Sequence, residues 1–204
     1  MILEQLIAKI KFEKMNRYFL IITLIVAVIV QINAQEKHSK ESRVKVNAVP
    51  SKALESLKSA PFDRKIKWYK EESHTRISYE AKTKYQNKKY SIEFNSEGEI
   101  EDIEVNIKWD DIPTSTQVKI RAFLDKAHQK TKFQKVQKEY TGDTLDLLKK
   151  LKGEEVNTLK TNYEIVLKAK TDNEHERLEY LFSDTGEMIS RSKITLHNID
   201  HLEH

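Results

Sequence analysis

The side chains of this 204-residue chain that could do acid–base, metal or recognition chemistry are 7 histidines, 32 carboxylates and 36 lysines or arginines. His38, His74, His128, His175 and His197 stand apart in polar surroundings, without the His-x-x-x-His spacing that aligns two ligands on one helix face. Only His197 and His201 have that spacing, near the C-terminus, so the histidines read as solvated surface residues. Acidic residues gather at Glu97, Glu99, Glu101, Asp102 and Glu104, with Asp110 and Asp111 beyond, which invites calcium ligation or a general acid and base. The run lacks the one-three-five-twelve spacing of a calcium loop, and strand alternation turns several members to water, so solvated carboxylates are expected. With 4 glycines in all, the chain has no Gly-x-Ser-x-Gly elbow, Walker loop or Gly-x-Gly-x-x-Gly, the backbones that acyl transfer and phosphate binding use. The 0 cysteines exclude thiol catalysis, thiolate metal sites, disulfides and lipid attachment at an N-terminal cysteine. No catalytic residue, metal ligand or cofactor is assigned.

Recognition is the chemistry left. The formal net charge is +4, with both signs interspersed along the chain, the pattern of a solvated surface rather than a track for nucleic acid. Lys82, Lys84, Lys88 and Lys89 cluster at one hairpin, where lysines discourage strand addition to a sheet edge. Among the aromatics, Trp68, Tyr79, Tyr90, Trp109 and Tyr180 fall on the register that turns inward. Tyr69, between Trp68 and Lys70, falls on the opposite register and is the aromatic expected to be available to a partner.

Residues 18–30 form an apolar run preceded by Lys11, Lys14 and Arg17 and followed by Gln31-Ile32-Asn33-Ala34, the order of a secretory signal peptide with cleavage after Ala34. Met15 is the expected start, and residues 1–14 an upstream extension. The run is shorter than the roughly 20 residues of a membrane span, so no stable span is expected after signal removal. Residues 35–47 are expected to be a flexible linker, and Leu202-Glu203-His204 resembles the start of an expression tag.

The segment from Tyr90 to Ile100 matches that from Leu178 to Met188: an alternating strand ending in Phe94 or Phe182, a polar turn, Gly98 or Gly186 four residues later, then a new strand. A positive φ explains each glycine. Val49-Pro50 and Ile112-Pro113 both open helical segments, and Tyr79-Glu80 matches Tyr163-Glu164. The spacing predicts a first repeat over residues 48–111 and a second over 112–198, each a helix followed by about four strands. The second carries an added helix near 141–160, after Gly142 and an N-cap at Asp143.

Alternation turns Ile66, Trp68, Ile77, Tyr79, Ile92, Phe94, Ile103, Val105, Ile165, Leu167, Leu178, Tyr180, Phe182 and Met188 inward beneath the helices. It leaves Arg76, Ser78, Glu80, Lys82, Glu93, Glu104, Asn106, Lys108, Glu164, Lys168, Arg177, Arg191 and Lys193 on an open polar face, which an antiparallel sheet tolerates. Glu101-Asp102 interrupts the pattern between Ile100 and Ile103 and reads as a bulge.

The signal segment, the Val-Pro and Ile-Pro helix starts, Trp68, the Tyr-x-Ile-x-Phe-x-x-x-Gly hairpin at Tyr90 to Gly98 and the whole helix-and-strand pattern given twice resemble the PepSY-like, beta-lactamase-inhibitor-like periplasmic proteins of Bacteroidota, over Val49 to Leu196. The resemblance implies an α+β fold: a tandem repeat of helix plus four-stranded antiparallel sheet, as in beta-lactamase inhibitory protein, with helices packed on one sheet face. The expected function is an exported, non-enzymatic, inhibitor-like binding module, periplasmic or secreted. It would engage an unidentified protein or peptide through the open face, with Tyr69, Arg76, Glu80, Lys82, Glu104, Lys108, Lys168 and Arg191 as binding residues. The alternatives are a small secreted hydrolase using surface carboxylates, or an envelope structural or sensory protein.

Overall fold

Apolar residues two apart give strands, and the turns between them are short enough that each strand pairs with the next. The computed structural model describes residues 40–62, 65–73, 76–171 and 174–194. Within them nine strands form one sheet in sequence order: β1 (Lys40–Val44), β2 (Lys67–Glu72), β3 (Ile77–Tyr85), β4 (Lys88–Asn95), β5 (Ile100–Asn106), β6 (Lys130–Thr141), β7 (Lys160–Thr171), β8 (Glu174–Ser183) and β9 (Met188–Lys193). Every neighbouring pair is antiparallel. Three helices interrupt the meander: α1 (Ser51–Lys58), α2 (Thr114–Ala127) and α3 (Thr144–Leu151). The proposed signal and tag segments, with His38, His74 and His197, lie outside the described residues.

The helices lie against one face. A cross-strand row Tyr90, Val105, Lys138, Tyr163, Phe182 fixes that face across β4 to β8. Ala53 and Leu57 of α1 pack there with Trp68, Ile92, Phe94 and Ile103. Ile120 and Leu124 of α2 pack with Ile165, Leu167, Leu178, Tyr180 and Phe182. The added helix α3 starts where Asp143 Oδ1 accepts a hydrogen bond of 2.8 Å from the Leu145 N–H. Its Leu147 and Leu151 join the first of these clusters, not the second.

The turns at Gly98 and Gly186 are built alike. Gly98 has φ +81° and faces the start of α1, where an added Cβ would lie 2.8 Å from the Ala53 nitrogen. Gly186 has φ +86° and faces the start of α2, where a Cβ would lie 2.9 Å from the Thr116 carbonyl oxygen. One residue past each turn's return strand the register slips. Phe94 pairs with Ile100 but Glu93 with Asp102, so Glu101 is the extra residue, as the broken alternation suggested. Phe182 pairs with Met188 but Leu181 with Ser190, so Ile189 is extra.

Three expectations need correction. Residues 40–44, assigned to a flexible linker, form β1, an edge strand whose Arg43 pairs with Tyr69 and Val44 with Trp68. Its polar residues show no apolar alternation, and its partner strand, not its own sequence, holds it. The four-strand repeats are not separate sheets: β5 pairs with β6, giving one continuous sheet. Ile77 and Met188, assigned inward, are among the exposed large hydrophobic residues, because each begins its strand beyond the helix cover.

Candidate functional site

The helix-free face is ordered by three cross-strand rows. One runs Arg43, Tyr69, Glu80, Glu93, Asp102, Thr141. The next runs Lys67, Lys82, Ser91, Glu104, Glu139, Asn162. The third runs Asn106, Gln137, Glu164, Leu181, Ser190. Residues directly opposite on a sheet have Cβ atoms about 5 Å apart. The rows therefore crowd Glu80, Glu93, Asp102, Glu104, Glu139 and Glu164 together at the centre.

Cations compensate this band at its ends. The Lys82 ammonium lies 2.8 Å from a carboxylate oxygen of Glu41 and 2.8 Å from one of Glu80. Arg76 pairs with Glu93 at 2.9 Å and also with Glu101. Lys135 reaches Glu164 at 2.9 Å. Among the described residues, no ion pair is formed by Asp102 or Glu104. Burial, and then the neighbouring Glu93 and Glu139, push the Asp102 carboxyl well above the usual carboxylate range. Burial and Glu164 do the same to Glu104, against an opposing pull from Lys135. Burial pulls Lys82 and Lys135 down, but the carboxylates around them win and both stand above the ordinary lysine range.

Two amides complete the centre. Gln137 is 3% exposed and Asn162 4% exposed. The Asn162 Nδ2 donates to Glu139 Oε2 at 2.7 Å, which holds this amide within the carboxylate band. Gln137 Oε1 and Asn162 Oδ1 are buried and accept no hydrogen bond from the described residues. Such orphaned oxygens are uncommon in folded chains.

The eight residues assigned from sequence do not form one site. Arg76, Glu80, Lys82 and Glu104 share the band or its rim. Lys168 is exposed on the same face, across from Arg177 and away from the band's centre. Lys108 lies beyond the end of β5 and is exposed, its backbone N–H donating to Asp111 Oδ2 at 2.9 Å. Tyr69 is on the assigned face but is 6% exposed, because Lys82 lies over its ring at 4.7 Å from the centroid, so it offers no free aromatic surface. Arg191 is on the opposite face, across from Tyr180 and paired with Glu176 at 3.3 Å. The extra residue Ile189 inverts the alternation that had placed it outward.

Two further readings change. His128 is not a solvated histidine: it is 8% exposed and its Nε2 lies 2.7 Å from the Tyr180 hydroxyl. Burial, with the charge of Arg191 behind it, lowers its pKa. Within the acidic run, Glu99 pairs with Lys52 and Asp111 caps a turn, as surface carboxylates do. Asp102 and Glu104 depart from that reading because β6 closes over their flank. Glu139, Lys135, Gln137 and Asn162 were missed as site residues. The β5–β6 pairing, between residues about 35 positions apart, brings Glu139 and Gln137 beside Glu104 and Asn106, and the β6–β7 pairing adds Asn162 beside Glu139.

The class this geometry defines is an α+β meander with one helix-covered face and one polar face. Among the described residues no helix is long and apolar enough to cross a membrane. Likewise, among them no three His, Cys, Asp or Glu side chains are placed to hold a metal ion.

No protein-family model matches the chain, and no curated protein does. Solved structures similar to it include two DUF2874 family proteins. The one from Bacteroides ovatus has 12% identity and a TM-score of 0.46, covering 76% of this chain and 94% of its own. The one from Bacteroides uniformis has 15% identity and a TM-score of 0.48, covering 72% and 91%. A BLIP-like protein from Bacteroides fragilis has 15% identity and a TM-score of 0.45, covering 72% and 87%.

Proposed function

We propose that the chain is an exported, non-enzymatic binding module that engages a protein or peptide through the helix-free face of its sheet. The observation that carries this reading is the pair Asp102 and Glu104, carboxylates held at the centre of that face with raised pKa and no ion-pair partner among the described residues. Crowded, partly desolvated carboxylates cost folding free energy, so stability alone gives no reason to keep them. Export to the periplasm or beyond is supported by the basic-apolar-small order of residues 11–34. A PepSY-like tandem origin of the two halves is supported by the matched turns at Gly98 and Gly186 and the matched extra residues Glu101 and Ile189.

The test is a photo-cross-linking side chain placed at exposed positions of the face, Lys168 or Ser190, and at Val118 on the outer side of α2, in native envelope preparations. A defined cross-linked species from the face positions and not from Val118 is the expected result. The same species from Val118, or none from the face, would overturn the reading.

A second reading, a small hydrolase, is favoured by the same raised carboxyls, since a protonated Asp102 or Glu104 is the form a general acid needs. Turnover of chromogenic glycosides or esters that disappears in Asp102→Asn would support it.

A further inference from the structure

We infer that the part of the helix-free face formed by β5, β6 and β7 is a receptor for arginine side chains presented by a basic segment of a partner protein. This rests on the proposed use of that face and names the chemistry it would accept.

Three observations converge there. The first is charge: Asp102, Glu104 and Glu139 lie side by side across β5 and β6, with Glu164 on β7, and Lys135 is the lysine that reaches Glu164. A chain whose formal net charge is +4 thus carries a local acidic centre, and general attraction of the whole molecule for polycations is opposed. The second is hydrogen bonding: Gln137 Oε1 and Asn162 Oδ1, on residues 3% and 4% exposed, accept no bond from the described residues. Both belong to the rows that contain the carboxylates, and Asn162 is tied to Glu139 at 2.7 Å. Carbonyl and carboxylate oxygens together ask for a cation that is also a multiple donor. The third is the protonation of the centre: burial and mutual repulsion hold Asp102, Glu104 and Glu139 above the usual carboxylate range, a condition an incoming cation relieves.

Chemistry discriminates among cations. The described residues offer no cluster of three acidic or imidazole side chains fit for a metal ion. A lysine ammonium is a compact point charge with three donors, whereas guanidinium spreads five N–H groups over a plane. Acceptors distributed over three adjacent strands, about 4.8 Å apart, match the wider planar group.

The experiment titrates the full chain with a fluorescent nona-arginine peptide. Nona-lysine, nona-glutamate and calcium chloride serve as comparison probes, across sodium chloride concentrations. Nona-arginine is expected to bind, with affinity rising as pH rises and protons released on binding. Asp102→Asn/Glu104→Gln, shown to be folded by circular dichroism, is expected to weaken it about tenfold or more, equivalent to about 1.4 kcal/mol. Gln137→Leu alters no charge and is expected to weaken nona-arginine several-fold while leaving the weaker nona-lysine binding unchanged. Equal affinity for the two cationic peptides, equal affinity of the variants, or displacement of the peptide by calcium would overturn the assignment. If nona-arginine fails while cross-links from Lys168 and Ser190 persist, the arginine chemistry falls and the face remains a binding face. If the peptide binds but the face gives no cross-links, the broader reading falls instead.

Discussion

Three glycines share a left-handed backbone but differ in what surrounds them, and substituting each by alanine separates two costs that usually come together. Gly98, Gly153 and Gly186 have φ of +81°, +86° and +86°. A side chain in that region costs about 1–2 kcal/mol. At Gly153 an added Cβ meets nothing within 4 Å, so Gly153→Ala should lose only that amount. At Gly98 the Cβ would lie 2.8 Å from both the Ala53 nitrogen and the Pro50 Cβ, and at Gly186 it would lie 2.9 Å from the Thr116 oxygen and 3.0 Å from the Lys119 Cβ. Backbone cannot swing aside as a lysine tip can, so overpacking adds about 1–3 kcal/mol. Total losses of about 2–5 kcal/mol are expected for Gly98→Ala and Gly186→Ala. At about 2–4 °C per kcal/mol for a chain of this size, Tm should fall by about 2–8 °C for Gly153→Ala and about 4–20 °C for the other two. Thermal melts followed by circular dichroism decide the matter. Equal losses at all three positions would refute the claim that the turns must let a helix start approach closely.

Two more outcomes follow from groups at opposite faces of the sheet. Glu104 binds its proton more tightly folded than unfolded, so above the ordinary glutamate range the folded state holds more protons and stability falls as pH rises through the folded pKa. Glu104→Gln should therefore match the parent near pH 4 and melt at higher temperature near pH 8; a lower Tm at pH 8 would contradict the burial and repulsion described. Tyr180→Phe removes the hydroxyl 2.7 Å from His128 Nε2 and with it a buried hydrogen bond, and should cost about 0.5–1.5 kcal/mol in urea unfolding, a cost absent in an exposed Tyr→Phe control.

Legibility in the sequence followed the range of the interaction. Period-two alternation marked β2 to β5, β7 and β8, and a single break in it at Glu101 marked the first bulge, because both signals are carried by residues within a few positions of each other. The second bulge escaped notice because Met188 and Ile189 are both apolar and leave no visible break, and Arg191 was misplaced in consequence. For Tyr69 the face was readable and the exposure was not, since its cover, Lys82, comes from the neighbouring strand. His128 sits among polar neighbours in sequence while its partner is 52 residues away. The centre of the candidate site depends on β5 meeting β6 across an intervening helix, and no local pattern specifies which carboxylates then become neighbours.

The helix α3 is encoded between β6 and β7, yet Leu147 and Leu151 are interior residues of the cluster built on Trp68, Ile92 and Phe94. A protein cut between β5 and β6 would yield an N-terminal fragment missing part of its own interior, and a C-terminal fragment with an oily helix left over. The two halves are thereby bound to a common fate: they should unfold in one cooperative step, and during synthesis the first half would stay incomplete until the ribosome had passed Leu151.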